Sequence, residues 1–187
     1  MPKIIALIGL PGTGKTTASL FLEELGFKRF SLGDITREEL KKRSLITSES
    51  NEKLIRNGLR KKEGMDAFAK RITQKIEDFC FSKNNKDNNI ILEGIISFEE
   101  AEYLKSNFGD SIIFIALESK PELRIRRLSE RNIRPLTKED MDSRDKHQLN
   151  QLNMKKSIEN ADIRIQNDST LAEFKTKIIE LLKRYGF

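Results

Sequence analysis

Positions 9–17 read GLPGTGKTT, and the order of residue types there suits phosphate. The run fits G-x-x-x-x-G-K-[ST]. Gly9, Gly12 and Gly14, with Pro11 and Thr13 between them, let backbone N–H groups turn inward around an anionic oxygen, where side chains would collide with it. Lys15 is placed to reach the outer phosphates of a nucleoside triphosphate. The Thr16 hydroxyl can ligate Mg²⁺, and Thr17 continues into a helix whose N-terminus points at the phosphates. ATP and Mg²⁺ are the expected cofactors.

Two further groups belong to the same chemistry. NIILEG (89–94) is a short apolar run that ends on an acid. In an open parallel sheet, ligands sit at the carboxyl ends of the strands, so Glu93 is placed to hold Mg²⁺ through water or to receive a proton. Arg124, Arg127 and Arg131 are spaced three and four apart and share one face of a helix. Arg134 and Arg144 flank the loop that follows. Phosphoryl transfer is mostly positioning and charge neutralisation, which makes arginines converging on the phosphates an expected feature. Arg127, Arg131 and Arg144 are the candidate catalytic arginines, in a short lid over 127–147 that excludes water. Leu123, Ile125 and Leu128 are expected to serve the sheet side of that helix.

These residues need a scaffold, and the hydrophobic pattern supplies one. KIIALIG (3–9), FKRFS (27–31), NIILEG (89–94) and SIIFIAL (111–117) read as buried strands, and ADIRIQ (161–166) as a strand of alternating type. Helical patterns occupy 15–25, 33–43, 49–62, 65–82, 98–109, 121–131, 138–159 and 171–185. Asp34 is placed to cap the second of these, and Pro121 sits at a first helical position. SKNNKDNN (82–89) and NIRPLTKED (132–140) are loops. Strands alternating with helices predict an α/β fold: a five-stranded parallel sheet with helices on both faces and right-handed crossovers. The chain reads as one domain over 1–187, with a helical insertion at 33–82 that can cap the active edge.

SLGDITR (31–37) resembles the S-T-G-D-x-x-R segment of adenylate kinases. That resemblance implies that Gly33, Asp34 and Arg37 contact the acceptor and that Arg37 grips its phosphate. The tail ADIRIQNDSTLAEF resembles the end of dephospho-coenzyme A kinases, which puts Asn167 and Asp168 near the donor's adenine. The whole chain is most similar to a small archaeal family related to both kinases. The similarity rests on GD-x-x-R-E-E, EGMDAFAKR (63–71), FEEAEYLK followed by FGD, RD at 144–145 and ND at 167–168. It implies a three-layer P-loop NTPase fold. Three positions depart from the adenylate-kinase pattern: Leu32 replaces the usual threonine, Glu93 the usual aspartate, and Ile96 an arginine that would supply one phosphate clamp.

The bulk numbers agree. The 187 residues are 37% hydrophobic and 34% charged, enough for one domain with a hydrophobic core. Apolar runs are far shorter than the roughly 20 residues of a membrane span, and no signal-peptide pattern opens the chain. A cytoplasmic protein without a membrane partner is expected. The single cysteine, Cys80, cannot form an internal disulfide and reads as a small core residue. His147, the single histidine, reads as a surface residue. The net charge of +6 and pI near 9.4 suit anionic partners. The absence of tryptophan and of basic–aromatic alternation argues against a nucleic-acid stacking platform.

Three readings stand. One is an ATP-dependent phosphotransferase of the nucleoside-monophosphate-kinase type acting on small nucleotide substrates. Another is dephospho-coenzyme A kinase, where Glu93 or Asp34 would serve as base. The last is a nucleotide-binding or slow ATPase module acting on a partner or RNA. The chain is compatible with a monomer or a homodimer.

Overall fold

A computed structural model describes residues 2–82, 89–131 and 135–187. Most of the polar loop expected over 82–89, together with Arg134, lies outside the described residues. The five apolar runs form strands β1 (Ile4–Ile8), β2 (Lys28–Ser31), β3 (Ile90–Glu93), β4 (Ile112–Glu118) and β5 (Ile163–Gln166), paired in the order β2-β3-β1-β4-β5. Every pairing is parallel. Ser31 lies opposite Glu93 at the carboxyl ends of β2 and β3.

Strand β1 shows why the sheet needs two covered faces. All five of its residues are buried, and they alternate between two cores. Ile4, Ala6 and Ile8 pack with residues of α2 (Leu32–Lys42), α3 (Glu49–Glu63), α4 (Ala67–Ser82) and α5 (Phe98–Phe108). Ile5 and Leu7 pack with α1 (Lys15–Glu24) and the closing helix α9 (Leu171–Tyr185). Burying each such side chain is worth about 1.5–3 kcal/mol, so the phosphate loop that leaves β1 starts from a firmly anchored strand. Helices α2, α3 and α4 all lie between β2 and β3, as the insertion requires.

Three local expectations are corrected. Helix α2 begins at Leu32 with Ser31 as its N-cap, and Asp34 stands inside the first turn. Its carboxylate accepts from Arg37 instead of capping the helix. The polar stretch 138–159 is two helices, α7 (Lys138–Asn150) and α8 (Met154–Glu159), separated where Asn153 adopts φ 51°. The apolar side of α6 (Pro121–Ser129) does not face the sheet. Leu128 and Ile125 instead form a small separate cluster with Leu136 and Met141 of the following segment. Cys80 is partly buried against the main core, and burial pushes its thiol pKa up.

Candidate active site

The glycine-rich segment between β1 and α1 is held from below by groups far away in sequence. Gly12 (φ 82°) lies so close to α6 that an added Cβ would stand 2.9 Å from the Arg124 carbonyl oxygen. Gly14 (φ 102°) faces Asn167, whose amide nitrogen would be 2.4 Å from such a Cβ. Both positions demand glycine, for conformation and for space. Asn167, nearly fully buried after β5, donates from Nδ2 to the Thr13 carbonyl at 2.9 Å. The Thr13 hydroxyl donates to the Leu10 carbonyl at 2.9 Å.

Lys15 closes the ring. Its Nζ donates to the carbonyls of Gly9 (2.6 Å) and Leu10 (2.9 Å). Burial is the main reason its pKa falls to about 8; Arg124 and Arg131 push the same way, against Glu93 and Asp145. A cation desolvated in this manner gains strongly from an incoming anion. The glycine cradle, this lysine and the exposed Thr16 hydroxyl beside it suit a triphosphate with Mg²⁺.

Arginines of α6 brace the same loop. Arg124, 4% exposed, donates from Nε to the Pro11 carbonyl (2.7 Å), and its Nη2 reaches both oxygens of Asp145 on α7 at 2.6 and 2.7 Å. Arg127 donates to the Asn167 carbonyl (3.0 Å), to Ser119 Oγ (3.1 Å) and to the Gly12 carbonyl (3.5 Å). Asp168 accepts from the Lys120 N–H (2.8 Å) and Ser119 Oγ (2.9 Å), and the first of these contacts is the main reason its pKa is lowered. Thus Arg124, Arg127 and Asn167 form a frame around the loop, and Asp168 fixes the Ser119–Lys120 turn on which Arg127 also rests. Arg131 follows α6, and its pKa is lowered by desolvation and then by Arg144.

A cleft of about 860 Å³ opens beside this loop. Lys15, Thr16, Gly33, Arg37, Glu93 and Arg144, all singled out in the sequence, line it together, and His147 lines it as well. Glu93 is buried and paired with Arg29 of β2; Arg29 Nε also donates to Ser19 Oγ at 2.8 Å. Arg37 folds onto Asp34 one turn earlier and is about half exposed.

Sequence reasoning missed Arg29 and the inner face of α3. Arg56 and Arg60, four residues apart and therefore on one helix face, both line the cleft. Arg60 donates to the buried Glu100 at 2.8 Å. The other Glu100 oxygen accepts the backbone N–H of Ile96 at 2.9 Å. A guanidinium therefore stands one carboxylate away from the position where the arginine of the adenylate-kinase pattern is replaced by Ile96. The i, i+4 spacing of Arg56 and Arg60 was the available signal. Burial of Glu100 pushes its pKa up, and Arg60 is the largest opposing influence.

The sheet order, the loop after the first strand and the lysine within it define a P-loop protein of the small-kinase fold. Two solved structures share that fold at low sequence identity. Dephospho-CoA kinase from Campylobacter jejuni superposes with a TM-score of 0.55 at 16% identity, over 98% of this chain and 97% of that one. Shikimate kinase from Acinetobacter baumannii, in complex with shikimate, gives 0.54 at 19% identity over 99% and 95%.

A family profile described as an AAA domain matches residues 5–162. The chain belongs to the UPF0200 family of archaeal proteins: the UPF0200 protein of Methanosarcina barkeri is 33% identical over 98% of this chain and 96% of its own length. A UPF0200/UPF0201 protein of Archaeoglobus fulgidus is also 33% identical, and the match spans 96% of this chain and 55% of that longer protein. Among the described residues no helix is long and apolar enough to cross a membrane.

Proposed function

We propose that this protein is an ATP-dependent phosphotransferase of the nucleoside-monophosphate-kinase type, acting on a small nucleotide-like acceptor. The observation that carries the reading is that Lys15 and Thr16, on the loop side, line the same cleft as Arg37 and Arg144. ATP would supply the phosphoryl group, and Mg²⁺, which Thr16 and Glu93 would hold, would neutralise charge on its phosphates.

The loop N–H groups from Gly9 to Thr17 and the Lys15 ammonium orient the triphosphate. Arg124 and Arg127 keep the loop in shape through its carbonyls, so they act as positioning residues, and Asn167 braces it beside the donor. Arg37, with Gly33 and Asp34, holds the acceptor. Arg131 and Arg144 stabilise charge on the group in transfer. An acceptor that is already a phosphate needs no general base.

A coupled assay of ADP release tests this across AMP, CMP, UMP, GMP, dTMP and dephospho-coenzyme A. Stimulation of at least about tenfold by a monophosphate is expected, which corresponds to about 1.4 kcal/mol of acceptor-specific barrier lowering. Flat, slow hydrolysis with every acceptor would sink the proposal and favour a nucleotide-driven module that acts on a partner.

Dephospho-coenzyme A kinase is a second reading, favoured by the way Asn167 is built into the frame of the loop, with Asp168 beside it on the Ser119–Lys120 turn. There the acceptor is a hydroxyl, and Glu93 or Asp34 would take its proton. Both carboxylates are engaged by arginines, which weighs toward the phosphate acceptor. Turnover confined to dephospho-coenzyme A would reverse that preference.

A further inference from the structure

Glu49, the first residue of α3, joins two helices that line the cleft. Arg56 Nη2 donates to its Oε1 at 2.7 Å, and Arg144 Nη2 of α7 donates to its Oε2 at 3.0 Å. Each carboxylate oxygen thus serves a different guanidinium. We propose that Arg56 and Arg144 are a clamp for the phosphate of a phosphomonoester acceptor, and that Glu49 is an internal carboxylate occupying this clamp until the acceptor arrives. The inference rests on the phosphotransferase reading and adds to it a residue, Arg56, that no motif assigned, a competitor, Glu49, and for Arg144 a hold on the acceptor's phosphate beside its role at the group in transfer.

The parts differ in how firmly they are held. The Glu49 side chain is 55% exposed, and exposed ion pairs are weak enough to exchange. Arg56 is also bonded through Nη1 to Glu52, a buried carboxylate, at 3.3 Å. Release of Glu49 therefore leaves Arg56 oriented. A phosphate dianion brings more acceptor oxygens and more charge than one carboxylate, and arginine's planar fork matches it.

The clamp also lies on a line of charge that begins at the donor loop. Lys15 is close enough to Arg131 to be influenced by it, and Arg131 likewise by Arg144. Seven basic side chains face three acidic ones among the described residues of the cleft, with Ile96 as the single large apolar one. The excess of positive charge suits an anionic ligand.

The test fills the loop with the Mg²⁺ complex of a non-hydrolysable ATP analogue and then titrates inorganic phosphate by calorimetry. Wild type, Glu49→Gln, Glu49→Ala, Arg56→Gln and Arg144→Gln are compared, with acetate at equal ionic strength as the carboxylate arm. Removing the competitor should tighten phosphate about fivefold or more in both Glu49 variants. Removing either arginine should weaken it about tenfold. Acetate should bind more weakly than phosphate throughout.

The two readings fail separately. No binding of the ATP analogue to wild type counts against the phosphotransferase. Analogue binding with phosphate affinity unmoved by the substitutions overturns the clamp, as does the absence of phosphate binding in wild type and Glu49 variants alike. Equal affinity for acetate and phosphate overturns the assignment to a phosphomonoester.

Discussion

The loop at 9–17 is braced by buried groups distant from it in sequence, whereas Arg37 and Arg144, facing it across the cleft, are held by exposed acids. Arg124, buried, ties a loop carbonyl to Asp145, and Asn167 supports the loop from below. On the other wall, Arg37 rests on Asp34 and Arg144 on Glu49, all of them substantially exposed. One side is pre-formed and expensive to disturb. The other is a set of exchangeable pairs, the state expected of a surface that must release its own acids to take a ligand's charge.

The sharpest challenge to this contrast is Lys15→Ala. Removing the loop's partly buried cation should lower turnover about 10²-fold or more with little change in unfolding midpoint. A steady-state assay alongside a urea melt checks both. A variant retaining wild-type turnover would move the chemistry away from the loop.

Arg124→Ala attacks the brace instead. It leaves a loop carbonyl without its donor and Asp145 without its partner, and should cost about 3 kcal/mol of stability, read from urea unfolding. The double variant with Asp145→Ala should recover part of that loss, because the stranded carboxylate is gone. Full additivity of the two substitutions would mean the pair does not act as a unit.

Proton linkage gives a smaller effect with a definite sign. Lys15 loses its proton near pH 8 in the free protein, and a bound phosphate favours the protonated form. Nucleotide affinity should therefore fall as pH rises above about 8, with up to about one proton taken up on binding at pH 8.5 and essentially none at pH 6.5. Calorimetry in two buffers of different ionisation enthalpy reads the uptake directly. Unfolded lysine keeps its proton to its ordinary value of 10.5. Between about 8 and 10.5 the unfolded state thus binds more protons, and this group's contribution to stability rises with pH.

Arg37→Ala should show the smallest structural effect. Its exposed pair with Asp34 is worth under about 1 kcal/mol, so the melt should barely move while the acceptor KM rises about tenfold and nucleotide affinity stays the same. A large loss of stability there would erase the distinction between the two walls.

What could be read from the sequence follows the same division. The strands and the loop are written in contiguous residues: an apolar β-branched run, glycines at fixed offsets, then lysine and threonine. Helix α5 likewise carries its own boundary in Ser97 and Glu100, which form a reciprocal cap. Long-range partners carried no local mark. Glu93 showed itself as a strand-end acid, but its pairing with Arg29 depends on β2 and β3 lying side by side. Asp34 had the composition of a cap, yet Ser31 takes that position because β2 runs directly into α2. The break at Asn153 was hidden because a uniformly polar stretch offers no periodicity to interrupt. The orientation of α6 was misjudged because its apolar residues pack on the segment after it, a contact that helical spacing alone cannot distinguish from one with the sheet.

The bond from Asn167 to Thr13 spans 154 residues, and it bears on the order in which the molecule can be assembled. The glycines of the loop leave the ribosome long before the side chain that supports them, which follows β5. Contacts of such long sequence separation form late. A partly synthesised chain therefore carries the nucleotide motif without its support. If the loop takes a nucleotide, it does so only once Asn167 is in place, and a truncation before residue 167 should abolish that binding even where the first strands have already folded.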